Sequence, residues 1–206
     1  MDIFLKILDI MGTAAFAVSG AVLGVRHKLD MLGVAVLAIA TGTAGGIIRD
    51  VLIGKTPPVA FQNEMYLLIC ILCAAIVLLK TEGIARRSEK KWSVVQIFDA
   101  IGLGIFAAIG AQRAISADFG TVGIIMMGMI TACGGGMVRD VLVRDIPFVL
   151  CREVYATAAM VGVIFMLLAR EFGFGEHVQV MTTVIIASGM RFWAMAKNVN
   201  LPQKIG

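Results

Sequence analysis

The sequence is 206 residues long, 59% of them hydrophobic and 16% charged, and its formal net charge is +4. The mean hydropathy of +0.92 excludes an ordinary soluble domain, in which about a quarter of the residues are charged. We predict an all-α integral membrane protein, folded as a single transmembrane domain over residues 1–206.

Seven apolar stretches predict seven transmembrane helices, because one span needs about 20 largely apolar residues. They are residues 3–24, 31–53, 64–79, 94–115, 121–143, 154–169 and 177–196. The third and sixth are short, so we expect these helices to extend into their polar flanks. The first carries Lys6 and Asp9 near its start, with no basic segment ahead of it, and is expected to stay as a helix.

The distribution of Lys and Arg predicts the orientation. The links after the first, third and fifth stretches, with the C-terminal tail, hold 11 basic residues, whereas the opposite side holds four. We therefore predict a multi-pass protein of the inner (plasma) membrane, with its N-terminus outside and its C-terminus in the cytoplasm. The densest basic cluster, residues 85–92, is expected to anchor this topology at membrane lipid, in preference to binding nucleic acid or one specific lipid.

The chain repeats itself at a distance of 90 residues. The positions that match in this register are polar or glycine as well as apolar, which apolar composition alone does not explain. They pair Asp9, Gly12, Phe16, Gly20, Thr41, Gly45, Gly46, Arg49 and Asp50 with Asp99, Gly102, Phe106, Gly110, Thr131, Gly135, Gly136, Arg139 and Asp140. One residue closer, Pro58, Glu64 and Tyr66 match Pro147, Glu153 and Tyr155.

Each copy of the repeat holds three predicted helices, the first copy over residues 4–82 and the second over 94–172. Because three is odd, the second copy enters the membrane from the opposite side, which predicts an inverted 3+3 repeat plus a seventh helix. In such folds, ion and solute sites lie near the midplane, where interrupted helices of the two halves meet.

Paired glycines near the middle of the second and fifth helices predict a kink in each. Gly45 and Gly46 lie just past the expected bilayer centre, and residues 134–136 are three glycines at the matching place. Backbone carbonyls freed there would line protein or water, since lipid offers no hydrogen bonds. The alternative is close helix packing, which we favour for Gly12, Gly20, Gly102 and Gly110.

Ionisable residues inside these apolar helices predict a functional site. An ionisable group at the bilayer centre costs about 2.5 to 3.5 kcal/mol on insertion scales, so it usually faces a wet cavity or a partner. Neighbours on a helix point about 100° apart, so Arg49 is not expected to pair with Asp50. We predict two clusters at the mouths of a central passage, Asp9/Arg49/Asp50/Glu64 and Asp99/Arg139/Asp140/Glu153.

The middle of this passage is expected to be lined by glycine and by the hydroxyl groups of Thr41, Thr43 and Thr131, with Gly134, Gly135 and Gly136 on the second copy. Each cluster has three acids and one base, an excess of negative charge that would concentrate cations. The alternative is that both clusters are structural salt-bridge locks.

The doubled Gly-Gly-x-x-Arg-Asp phrase at 45–50 and 135–140, within a three-plus-three-plus-one layout, resembles prokaryotic members of the trimeric intracellular cation (TRIC) channel family. These proteins are also described as the UPF0126 or "glycine transporter" domain family. The resemblance covers about residues 4–193. It implies a homotrimer with a pore in each protomer, kinked second and fifth helices, and passive conduction of potassium with some sodium. Ala44, Gly45 and Gly46 stand where animal members carry a lysine motif, so lipid dependence is not implied.

Two other functions stay open at the level of the sequence. An inverted repeat with broken helices also suits a secondary transporter for a small neutral solute such as glycine. A membrane scaffold with no permeant species is the third hypothesis, and it predicts no flux of any kind.

Overall fold

A computed structural model of the chain describes residues 3–80, 93–151 and 154–197. Within these ranges the regular structure consists of nine helices. They are α1 (Ile3–Arg26), α2 (Met31–Leu52), α3 (Val59–Gln62), α4 (Glu64–Leu79), α5 (Val94–Ser116), α6 (Thr121–Leu142), α7 (Phe148–Cys151), α8 (Ala156–Glu171) and α9 (Glu176–Lys197). The predicted all-helical class is confirmed.

Five helices, α1, α2, α5, α6 and α9, are long and apolar enough to cross a membrane, and α4 is a shorter apolar helix. The bounds of the predicted stretches agree with the helices to within two residues. α8 extends into its polar flank at Glu171, as expected for a short span, whereas α4 keeps the predicted bounds. The basic cluster at 85–92 lies outside the described residues.

Local capping explains where two of these helices begin. The Asp30 side chain accepts a hydrogen bond from the Gly33 backbone N–H at 2.7 Å, at the start of α2. Asn63 accepts one from the Met65 N–H at 3.1 Å, at the start of α4. A polar side chain that satisfies free N–H groups at a helix start stabilises the helix there.

α1 and α5, the first helices of the two repeats, cross at the centre of the bundle. The rings of Phe16 and Phe106 stack with their centroids 5.4 Å apart. A Cβ added to Gly12 would lie 3.0 Å from the Phe106 ring, and one added to Gly102 would lie 2.9 Å from the Phe16 ring. The expectation that these two glycines serve packing is confirmed.

The contacts between α2 and α6 show that these helices run antiparallel. A Cβ on Gly45 would meet the carbonyl oxygen of Thr131, and one on Gly135 would meet the carbonyl oxygen of Thr41. One turn forward on α2 is therefore one turn backward on α6, as antiparallel helices require. The pair is related by an approximate two-fold axis through this contact.

The helix ends meet in two groups. At one end of the bundle, Arg26 donates to the Ser93 hydroxyl at 2.8 Å and His27 contacts Asp145 at 3.0 Å, so the ends of α1 and α6 lie beside the start of α5. At the other end, the rings of Phe4 and His177 pack edge to face, 4.6 Å apart. These two groups of contacts are those expected if successive helices run in alternating directions, so that their ends lie at opposite ends of the bundle.

α9 lies outside the repeat and packs mainly on the second copy, against α5 and α8. The Ser188 hydroxyl donates to the Ala100 carbonyl at 3.0 Å, and the Thr183 hydroxyl donates to the Gly162 carbonyl at 3.2 Å. Gly104 and Gly162 provide the space that brings the backbones together. The first copy has no equivalent helix within the described residues.

Candidate functional site

The central glycines bring the backbones of α2 and α6 into contact. A Cβ on Gly45 would clash with the Thr131 carbonyl oxygen, and one on Gly134 would lie 3.2 Å from the Gly45 Cα. Both α2 and α6 are α-helical throughout, so the expected break in the helix is absent. The reason is that glycine here removes side chains from a backbone contact and leaves the hydrogen bonds of each helix intact. A bend without a break stays a prediction.

The first cluster forms around Arg49, whose side chain is buried. Its Nη1 lies 3.4 Å from Asp9 Oδ1, and its Nε donates to Asp50 Oδ1 at 2.9 Å. The prediction that Arg49 does not pair with Asp50 is wrong. The two Cβ atoms diverge as expected, but the long arginine side chain folds back across the helix surface to reach its neighbour.

Glu64 does not belong to this cluster, which corrects the predicted set. It lies exposed at the start of α4, because it occupies the first turn at the surface end of that helix. Tyr66, two residues later, takes its place: the phenol donates to Asp9 Oδ2 at 2.6 Å. Asp9 is therefore held by a charged and a neutral donor.

The second cluster forms around Arg139, which is fully buried and has three short contacts. Its Nη1 donates to Asp99 Oδ1 at 2.7 Å and to the Ser19 hydroxyl at 2.6 Å, and its Nε donates to Asp140 Oδ1 at 2.8 Å. The guanidinium also lies over the Phe148 ring, 5.0 Å from the centroid. Glu153, predicted as the fourth member, lies outside the described residues.

The aspartates next to the arginines connect both clusters to the segments that follow. The second carboxylate oxygen of Asp50 accepts the Val59 N–H at 2.9 Å, and that of Asp140 accepts the Phe148 N–H at 3.0 Å. These N–H groups begin the short helices α3 and α7, each of which follows a proline. Each Arg-Asp pair therefore joins a long helix, the first helix of its own repeat and the turn beyond it.

Two of the three predicted hydroxyl donors are used in packing. Thr41 donates to the Leu37 carbonyl and Thr131 to the Met127 carbonyl, both within their own helices. Both threonines are fully buried, where they press against Gly20 and Gly110. Thr43 is different: it donates to Ile39 in its own helix, but it is half-buried and faces a cavity.

This cavity lies beside the first cluster, between α1, α2 and α4. Its lining includes Asp9, Thr13, Thr43, Gly46 and Tyr66, and its volume is about 10 Å³. That is room for about one water molecule. A Cβ on Gly46 would meet only Arg49 Nη2, at 3.6 Å, so Gly46 leaves this space open.

The second cluster differs at the matching position. A Cβ on Gly136 would lie 2.7 Å from the Tyr155 hydroxyl oxygen and 3.3 Å from Asp99 Oδ1. Tyr155 is buried, and Arg191 of α9 lies over its ring, 5.1 Å from the centroid. The space that stays open beside Gly46 is therefore filled beside Gly136.

Four residues of the two clusters were missed at the level of the sequence: Ser19, Tyr66, Tyr155 and Arg191. The match between Tyr66 and Tyr155 in the repeat was a signal that could have identified both tyrosines. Arg191 is 3% exposed within an apolar helix, which is itself a signal for a site. Ser19 has isoleucine as its repeat partner at position 109, so no sequence pattern pointed to it.

These features define a class of protein: an all-helical membrane protein made of two related halves, each with a buried Arg-Asp cluster. A family model described as "Glycine transporter" matches the chain twice, over residues 6–81 and 96–171. Both matches fall on the two copies of the repeat.

Curated relatives cover most of the chain. A "UPF0126 membrane protein" of Vibrio cholerae is 41% identical over 199 residues, which are 96% of this chain and 82% of that protein. The "UPF0126 inner membrane protein YadS" of Escherichia coli is 37% identical over 155 residues, 75% of this chain and 73% of that protein.

Solved structures agree over the whole fold. A prokaryotic TRIC channel studied in 0.5 M KCl has a TM-score of 0.90 and 33% identity, covering 98% of this chain and 100% of that one. The TRIC trimeric intracellular cation channel orthologue from Rhodobacter sphaeroides has a TM-score of 0.88 and 31% identity, covering 96% and 100%. The chain belongs to the TRIC channel family, whose bacterial members are also described as UPF0126 membrane proteins.

Proposed function

We propose that the protein is a passive channel for monovalent cations that conducts potassium, with sodium as a second permeant ion. The observation that carries the proposal is the pair of buried Arg-Asp clusters on either side of a glycine contact between α2 and α6, in a chain similar to TRIC cation channels over its full length. The passage runs within each protomer alongside that contact, past Thr43 and Gly46.

The charge of the clusters supports cation selectivity. Within the described residues, each cluster contains two carboxylates and one guanidinium, so its formal charge is −1 when all groups are ionised. A net negative ring at a pore mouth raises the local concentration of cations and lowers that of anions. At the first cluster the negative excess is smaller than the sequence predicted, because Glu64 is exposed at the surface.

We propose further that the protein has seven spans in an inverted repeat and acts as a homotrimer in the inner membrane. The antiparallel contact of α2 with α6 supports the inversion, since these helices are equivalent in the repeat. The Rhodobacter sphaeroides structure is described as trimeric, which supports the assembly. The N-terminus is placed outside and the C-terminus in the cytoplasm by the distribution of basic residues.

The conformation described here is closed at the contact of α2 with α6. No side chain fits between Gly45 and the Thr131 carbonyl, and the cavity beside Gly46 holds about one water. Conduction therefore requires a movement that widens the path beside this contact. The arginines are placed to act as gates, because each joins three segments that such a movement separates.

Reconstitution of the purified protein tests the proposal against its main alternative. In planar bilayers we expect discrete current steps whose reversal potential follows the potassium gradient and ignores the chloride gradient. Saturable uptake of glycine into proteoliposomes without current would support a transporter, as the description "Glycine transporter" of the family model suggests. Absence of both ion and glycine flux would leave a scaffold.

A further inference from the structure

The two clusters are matched in sequence but differ in how their tyrosines are held. Tyr66 is oriented by its own hydrogen bond to Asp9 at 2.6 Å. The Tyr155 hydroxyl lies beside Asp99, the counterpart of Asp9, and interacts with it without a hydrogen bond of good geometry. The Tyr155 ring, which is 1% exposed, has a further contact.

Arg191 of α9 supplies that contact. Its guanidinium lies 5.1 Å from the centroid of the Tyr155 ring, within the range of a cation–π interaction. Its Nη1 also contacts the Val154 carbonyl at 3.4 Å, one residue before the tyrosine. Both the ring and the backbone that carries it are therefore held by the same side chain.

The contact with Arg191 matters because of where it holds the Tyr155 hydroxyl, which is beside Gly136. The hydroxyl oxygen lies 2.7 Å from the point that a Cβ on Gly136 would occupy, beside Asp99, and so fills the space that stays open beside Gly46. Cys133, one turn before Gly136, belongs to the same packed cluster as Tyr155. Tyr155 therefore occupies the space beside Gly136, next to the second Arg-Asp cluster.

We propose that Arg191 is a positioning residue of the seventh helix that holds Tyr155 as a closing side chain at the Arg139 cluster. This inference rests on the proposed channel function and assigns the control of one pore mouth to α9. α9 packs mainly on the second copy, against α5 and α8, so the control acts on one mouth only. The first mouth closes on Arg49 and Tyr66 without a helix of this kind among the described residues.

The buried charge of Arg191 agrees with this role. Placing an arginine inside a membrane helix has a substantial free-energy cost. Simple filling of the space between α8 and α9 would be done better by an apolar side chain. A cation that both stacks on the ring and binds the adjacent carbonyl orients the ring as well as filling space.

The test measures two quantities in the same protein, the rate at which a thiol reagent labels Cys133 and the open probability of the channel. In a background with Cys70, Cys73 and Cys151 replaced by serine, Arg191→Met should speed reaction of Cys133 with a membrane-impermeant thiol reagent by about fivefold or more, and raise the open probability. Tyr155→Ala should do the same. Arg191→Met added to Tyr155→Ala should change neither quantity further, because the arginine acts through the tyrosine.

A purely structural role for Arg191 predicts a different pattern. In that case the effects of Arg191→Met and Tyr155→Ala on labelling and open probability would add, and both variants would lose assembled protein. This result would overturn the inference. Arg191→Lys is the matched control, since it keeps a cation near the ring and should preserve slow labelling. Unchanged labelling of Cys133 in Arg191→Met would also overturn it. If the proposed channel function is wrong, the wild-type protein gives no current. The labelling rate of Cys133 still tests whether Arg191 holds Tyr155 in place, so the two failures can be told apart.

Discussion

At the scale of single residues, the two arginines are matched in sequence but not in the strength of their contacts. Arg139 has three partners within 2.8 Å, whereas Arg49 lies 3.4 Å from Asp9. Asp9 has a second donor in Tyr66 at 2.6 Å, while Tyr155 lies beside Asp99 without a hydrogen bond of good geometry. Removing a buried partner costs most where no other donor satisfies the group left behind.

Arg139→Ala is therefore expected to destabilise the protein by about 3 to 5 kcal/mol, the cost of breaking a buried ion pair. Arg49→Ala should cost less, because the Arg49–Asp9 contact is longer, at 3.4 Å, and Asp9 keeps the hydrogen bond from Tyr66. Thermal unfolding of the detergent-purified protein measures both. Equal losses, or a larger loss for Arg49→Ala, would show that these contacts do not set the stability.

The threonines provide a second residue-scale prediction. Thr43→Val should lower the single-channel conductance by about threefold, since an oxygen facing the cavity is worth roughly one hydrogen bond. Thr41→Val is the matched control, because that threonine is fully buried against Gly20. If Thr41→Val lowers the conductance as much as Thr43→Val, the pore runs elsewhere.

At the scale of helices, sequence reasoning placed the elements well and the contacts between them less well. Helix bounds follow from apolar length and from caps such as Asp30 and Asn63, which are local properties. Whether Gly45 is a break or a contact depends on what faces it, and that is the register of α2 against α6. Sequence periodicity does not contain this register.

The absence of tertiary information from the sequence also explains why the members and pairings of the two clusters were partly mispredicted. The repeat correctly brought Asp9 to Arg49 and Asp99 to Arg139, because matched ionisable residues in apolar helices must find partners. It did not show that an arginine side chain folds back onto its neighbour, or that Glu64 stays at the surface. Rotamers and the depth of a helix end are decided by tertiary packing.

The glycine contact leads to an element-scale prediction. Gly45→Ala and Gly135→Ala should each destabilise the protein by about 1 to 3 kcal/mol, because the added methyl group meets a backbone carbonyl that cannot rotate away. Gly46→Ala is the control, since its methyl group has only Arg49 Nη2 nearby, at 3.6 Å. Thermal melting separates the two cases. A melting temperature unchanged by Gly45→Ala would contradict the backbone contact.

At the scale of the whole molecule, the proposed cation path lies between two halves that we propose to be inverted relative to each other. The contact between α2 and α6 lies on the approximate two-fold axis, with one Arg-Asp cluster belonging to each half. α9 removes the equivalence of the two halves, because it packs mainly on the second. The protein is thus symmetric in its framework and asymmetric in its proposed control.

The orientation of this framework is open to a direct check. A reporter that is active only in the cytoplasm, fused after Gly206, should be active in cells, as the excess of basic residues on that side requires. A reporter that is active only outside the cytoplasm should be silent in the same fusion. The reverse result would invert the proposed topology while leaving the helix contacts unchanged.

The central claim, a cation path beside the contact of α2 with α6, is tested most directly by Gly46→Cys in a background with the four native cysteines replaced by serine. Gly46 borders the cavity and has room for the side chain. A cationic methanethiosulfonate reagent should block the potassium current of this variant and leave that of Leu72→Cys, on the exposed face of α4, unchanged. Complete modification of the cysteine at position 46 with an undiminished current would contradict the account.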